Sequence, residues 1–151
     1  MSTSIERQPI RILLVEDNEG DILLTKEAFA DVNLRHHLSV ARDGQEGLDF
    51  LQKVGKHADA PTPDLILLDL NMPRMKGTEL LKIIKNDEKL QSIPVVVLST
   101  SGADRDVSEC YQLRANGYIK KPVDFDQFMQ VADTIKRFWV DTVQLPPNDH
   151  N

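Results

Sequence analysis

The chain has 151 residues, 40% of them hydrophobic, which is enough for one domain with one buried core and leaves no room for a second sizeable domain. Its 18 Lys and Arg against 24 Asp and Glu give a formal charge of −6, which argues against general affinity for nucleic acid or an anionic membrane. One cysteine, Cys110, cannot close an internal disulfide, and no apolar run approaches the roughly 20 residues of a membrane span, so the expected setting is a reducing cytoplasm.

Residues 1–9, MSTSIERQP, are polar and lack the apolar centre of a secretory signal; they are expected to form a flexible arm. From Ile10 to Val15 the run IRILLV is short, branched and apolar and ends at two acids, as in a strand buried on both faces. Asp21 to Val32 reads as an amphipathic helix with Ile22 and Phe29 on one face. A weaker strand over Leu38 to Ala41 precedes the turn Asp43-Gly44 and a helix from Gln45 to Lys53 that carries Leu48 and Leu51. His36 and His37 read as solvated loop, and the four His, at 36, 37, 57 and 150, lie apart from the acids.

The polar stretch KVGKHADAPTP, ended by Pro61 and Pro63, reads as a long surface loop leading into the strand DLILLDL. The pattern then predicts a helix over Gly77 to Asn86, a strand over Ile93 to Leu98, a helix over Asp104 to Arg114, a strand over Gly117 to Ile119 and a last helix from Phe125 to about Trp139. Such alternation implies an α/β fold: five parallel strands joined by right-handed crossovers, helices on both faces, and the flavodoxin-like order 2-1-3-4-5. We take residues 10–140 as this domain and 141–151 as a C-terminal extension. Sites in such sheets form at the carboxyl ends of the strands, which here are Glu16 and Asp17, Asp69, Ser99, and Lys120 with Lys121.

Carboxylates gathered at one edge repel one another unless a cation lies between them or their pKa values rise. Asp17, Asp69, one main-chain carbonyl and waters would give the all-oxygen shell that Mg²⁺ prefers, and nothing near them offers the thiolate or imidazole set of zinc. A carboxylate beside such a metal is a competent nucleophile toward phosphorus. Lys121 and Ser99 have the chemistry to hold phosphoryl oxygens. Taken one at a time, an acid pair at a strand end is as readily a helix cap, and Lys-Pro a turn.

The segments VEDN at 15 to 18, LLDLNMPRMKG at 67 to 77, PVVVLST at 94 to 100 and YIKKP at 118 to 122 resemble, in order, receiver domains of two-component response regulators. The resemblance implies that Asp69 is the phosphoacceptor, that Asp17 binds Mg²⁺ directly, and that Glu16 does so directly or through water. It also implies that Asn71 contributes its main-chain carbonyl. Ser99 is then the hydroxyl that moves toward the phosphoryl group, Lys121 the lysine before a cis-proline at Pro122, and Tyr118 the switch aromatic. The readout face would be the fourth helix, fifth strand and fifth helix, and the kinase would be chosen at the surface of the first helix. The related metal-dependent phosphotransferases would need a catalytic Asp at position 71, where this chain has Asn.

The ending FWVDTVQLPPNDHN, with VVVLSTS, is similar to the small response regulators that serve cyanobacterial phytochromes. Phe138, Trp139, Val143 and Leu145 are too apolar to stand in solvent, so they fold back on the domain or cover a second subunit. With no DNA-binding or catalytic output segment in view, the expectation is a stand-alone phosphoacceptor supplied by a histidine kinase, of phytochrome type, and acting as a homodimer. A degenerate receiver that only scaffolds is the alternative. Cys110, in a helical stretch, reads as a packed small hydrophobe.

Overall fold

The computed structural model describes residues 9–147. The arm expected over 1–9, apart from Pro9, therefore lies outside the described residues, as do His150 and the end of the extension. Five strands, β1 (Ile10–Val15), β2 (His36–Ala41), β3 (Leu65–Asp69), β4 (Val95–Ser99) and β5 (Gly117–Lys120), form one parallel sheet in the order β2-β1-β3-β4-β5. The helices that follow them in turn are α1 (Glu19–Asp31), α2 (Gly44–Gln52), α3 (Gly77–Asn86), α4 (Asp104–Gln112) and α5 (Phe125–Thr134). This is the doubly wound, flavodoxin-like order expected from the alternation.

Strand periodicity divides the core in two. Leu13, Val15, Ile66, Leu68, Val95 and Val97 face α2, α3 and α4, where Phe50, Leu80, Leu81, Ile84 and Cys110 meet them. Ile12, Leu14, Leu65, Leu67, Val96 and Leu98 face α1 and α5, against Ile22, Phe29, Phe128 and Ala132. Both sides of β1, β3 and β4 are thus sealed, which is why these runs carry no polar alternation. Cys110 is a fully buried, packed side chain.

The structure corrects one element. His36 and His37 are not loop but the start of β2, in register with Ile10 and Arg11. His36 Nδ1 lies 2.5 Å from the Leu34 carbonyl, and its ring packs on Phe29. As an edge strand of the sheet, β2 is only half-buried, so its sequence lacks the apolar run that marks β1 and β3. The long loop after α2 contains a single 3-10 turn, Gly55–His57.

The last helix widens after α5 into a π-helical segment, Ile135–Val140, continued by i to i+5 bonds from Asp141 N–H to Lys136 O and from Val143 N–H to Phe138 O. Of the apolar tail, Trp139, Val140 and Leu145 pack back on the α1–α5 core, and Val143 is half-buried. Phe138 stays 51% exposed and edge-on to Trp139.

Candidate functional site

The helices run back from the carboxyl ends of the strands, so the short loops after β1, β3, β4 and β5 meet at one edge. Glycine lets the loop after β3 fold tightly. A Cβ on Gly77 would lie 2.3 Å from the Asp69 carbonyl oxygen and 2.7 Å from the Leu70 Cα, so only hydrogen fits where α3 starts under β3. The Gly77 N–H donates to the Leu70 carbonyl, and Arg74 pairs with Asp43, the cap of α2. Asp69 is therefore presented by a loop held at both ends.

One carboxylate oxygen from each of Glu16, Asp17 and Asp69 lies within 4.8 Å of the others. Glu16 and Asp69 are buried and Asp17 is exposed. Burial, aided by the Asp69 charge, pushes the Glu16 carboxyl up to about 7 against the pull of Lys121. Burial likewise raises Asp69, opposed by Lys121 and by the Asn71 N–H, 3.5 Å from Asp69 Oδ1. Like charges crowded out of water are the condition a cation relieves. The donors are hard oxygens, so the cluster suits Mg²⁺ or Mn²⁺, with Glu16, Asp17 and Asp69 as the side chains able to hold the ion.

Lys121, from the end of β5, reaches into this group. Its ammonium donates to Glu16 Oε1 at 2.6 Å and Asp21 Oδ2 at 2.7 Å, with Asp69 Oδ2 at 3.8 Å. Burial alone would lower its pKa, but these carboxylates outweigh burial and raise it. Asp21 was not singled out from the sequence. An acid in the first turn of a helix reads as ordinary helix-end chemistry, and its partner is distant in the chain. Lys120 is exposed, its side chain lying near Gly102.

Ser99 closes β4 fully buried, and its Oγ accepts the Ser101 N–H at 3.1 Å. The Tyr118 hydroxyl donates to the Ser101 carbonyl at 2.8 Å, and the Ser101 hydroxyl to Asp106 at the start of α4. One residue, Ser101, thus touches the serine at the site, the aromatic of β5 and the first turn of α4. The expected cis-proline is not found. No cis peptide occurs among the described residues, so the Lys121–Pro122 bond is trans. Trans is the lower-energy form even before proline, and the Lys121 N–H already ties the chain to the Ser99 carbonyl at 2.6 Å.

The response regulator receiver domain family matches residues 12–133. Response regulator Rcp1 of Synechocystis sp. is 41% identical over 138 residues, covering 91% of this chain and 94% of that protein. The crystal structure of the phosphorylated cyanobacterial phytochrome response regulator RcpA superposes with a TM-score of 0.87 at 45% identity, covering 92% of this chain and 99% of that one. The Mn²⁺-bound form of Rcp1 superposes with a TM-score of 0.86 at 41% identity, over 92% of this chain and 100% of the other.

Proposed function

Because this chain belongs to the response regulator receiver domain family, we propose that it accepts a phosphoryl group on Asp69 from a histidine kinase, with Mg²⁺, and switches a protein-contact face in response. The observation that carries the reading is the placement of Asp69: a buried carboxylate between an acid pair and a lysine, on a loop fixed by Gly77. A carboxylate oxygen of Asp69 attacks phosphorus in line while the P–N bond to the kinase histidine breaks and its electron pair stays with the imidazole. A divalent cation among Glu16, Asp17, Asp69 and the Asn71 carbonyl would offset charge on the acceptor and the incoming phosphoryl oxygens. Lys121 donates to a phosphoryl oxygen, and Ser99 turns its hydroxyl to another.

The switch follows from what Ser99 releases. When its hydroxyl turns, the Ser101 N–H loses its acceptor, and the loop that holds the Tyr118 hydroxyl and the first turn of α4 is free to rearrange. Incubation with acetyl phosphate and Mg²⁺ followed by intact mass tests the reading. One added phosphoryl group, absent in Asp69→Asn, is expected; no gain in the unaltered chain contradicts it.

The relative named as a phytochrome response regulator supports a phytochrome kinase as the donor, and membership of the receiver family supports a cytoplasmic setting. The exposed Phe138 and Tyr111 support a homodimer built through α4, β5, α5 and the tail. Phe138→Ser is the sharper probe of that dimer than truncation, since cutting the tail would also strip Trp139 and Leu145 from the core. Sedimentation should shift toward monomer in the variant; an unchanged mass in both proteins contradicts the dimer face.

A further inference from the structure

Lys121 has three ammonium protons to give, and the structure shows where two of them go: Glu16 and Asp21, at 2.6 and 2.7 Å. Asp69, the group that the lysine is expected to serve, is at 3.8 Å, beyond hydrogen-bond reach. Of the two close partners, Glu16 belongs to the trio of carboxylates that can share a cation, and Asp21 does not. A cation would compete with Lys121 for Glu16. It would not compete for Asp21.

Asp21 is built to hold this contact. Its N–H donates to Asn18 Oδ1 at 2.9 Å, and its carbonyl accepts the Thr25 hydroxyl at 2.7 Å, so its backbone is fixed in the first turn of α1. Its side chain, 24% exposed, meets a lysine side chain that is only 7% exposed.

Building on the phosphoacceptor reading, we propose that Asp21 is a positioning residue that anchors the Lys121 ammonium away from Asp69. The acceptor oxygens then stay open to a cation, and once the cation is bound the lysine, still tied to Asp21, has one fewer proton to give to a phosphoryl oxygen. Without Asp21 the ammonium is left with Glu16 and Asp69, and it settles on Asp69, where it competes with a cation. Removing Asp21 also takes one negative charge from the edge, which weakens the attraction for a cation and eases the approach of an anion. The two effects have opposite signs, whereas simple damage to the site would weaken both kinds of ligand.

The test measures two affinities in the full-length chain, for Mn²⁺ alone and for beryllofluoride, a phosphoryl stand-in, at saturating Mn²⁺. Asp21→Asn should weaken Mn²⁺ about 5-fold and tighten beryllofluoride about 3-fold, and Asp21→Glu should return both toward the unaltered values. Both affinities falling together in Asp21→Asn, or neither moving, would overturn the proposal. Failure of the unaltered chain to bind either ligand would instead overturn the phosphoacceptor reading, and this inference with it.

Discussion

Two buried lysines mark opposite ends of the sheet. Lys121, at the carboxyl edge, is paired with carboxylates that raise its pKa. Lys85, at the end of α3 on the amino edge, donates to the Gln91 carbonyl at 3.1 Å, the Ile93 carbonyl at 2.8 Å and Asn116 Oδ1 at 3.0 Å, and burial lowers its pKa. Asn116 Oδ1 also accepts the Val95 N–H, so this lysine ties the loops before β4 and β5 together. Neutral carbonyl and amide acceptors fix a charge in one arrangement. Carboxylates that also attract a cation allow it to be re-paired, and the contrast separates a strut from a working part.

Replacing Lys85 should therefore have the larger effect on stability. Lys85→Met leaves buried acceptors unpaired and is expected to cost about 3 kcal/mol in urea unfolding, while the folded fraction still takes up one phosphoryl group. A loss of phosphoryl acceptance without loss of stability would reverse the assignment of the two ends.

The next effect is one of pH. Between the ordinary glutamate value of 4.5 and about 7, the folded, metal-free chain keeps on Glu16 a proton that the unfolded chain has released. The stability contributed by this group is thus fully present below 4.5 and is lost as pH rises to about 7. The metal-free protein should lose up to about 3 kcal/mol across that window, and Glu16→Gln should flatten the slope. Lys85 acts with the opposite sign in the alkaline range. Its folded-state pKa is depressed, so stability rises with pH once the folded lysine gives up its proton and levels off as the unfolded lysine, ordinarily at 10.5, gives up its own.

Smaller still is Tyr118→Phe, which removes one hydrogen bond to the Ser101 carbonyl and should cost about 1 kcal/mol. Arg74→Ala opens an exposed ion pair with Asp43 and should cost well under 1 kcal/mol. Urea unfolding of each variant checks that ranking.

The division between the two ends also explains what the sequence made legible. The strands β1, β3 and β4 stood out because burial on both faces leaves an unbroken apolar run, and α3 has the bounds that its pattern predicts. Outer strand β2 began two residues earlier than expected, because half-exposed backbone pairing imposes no apolar signal on His36 and His37. Glu16, Asp17, Asp69, Ser99 and Lys121 were readable because the fold rule sends strand ends to one edge. Asp21 and Lys85 were not, since each is defined by partners brought near only by folding, and both occupy helix positions where a charge is ordinarily solvated. The trans Lys121–Pro122 bond was hidden for the same reason: the residue pair permits either isomer and the surrounding fold selects one.

On the function proposed above, a phosphoryl group is transferred to one named carboxylate among several. After reaction with acetyl phosphate and Mg²⁺, borohydride reduction converts an aspartyl phosphate to homoserine, and peptide mapping then locates it. Homoserine at position 69 alone is the predicted result; conversion at Glu16, Asp17 or Asp21, or at no acid of the chain, would contradict the account.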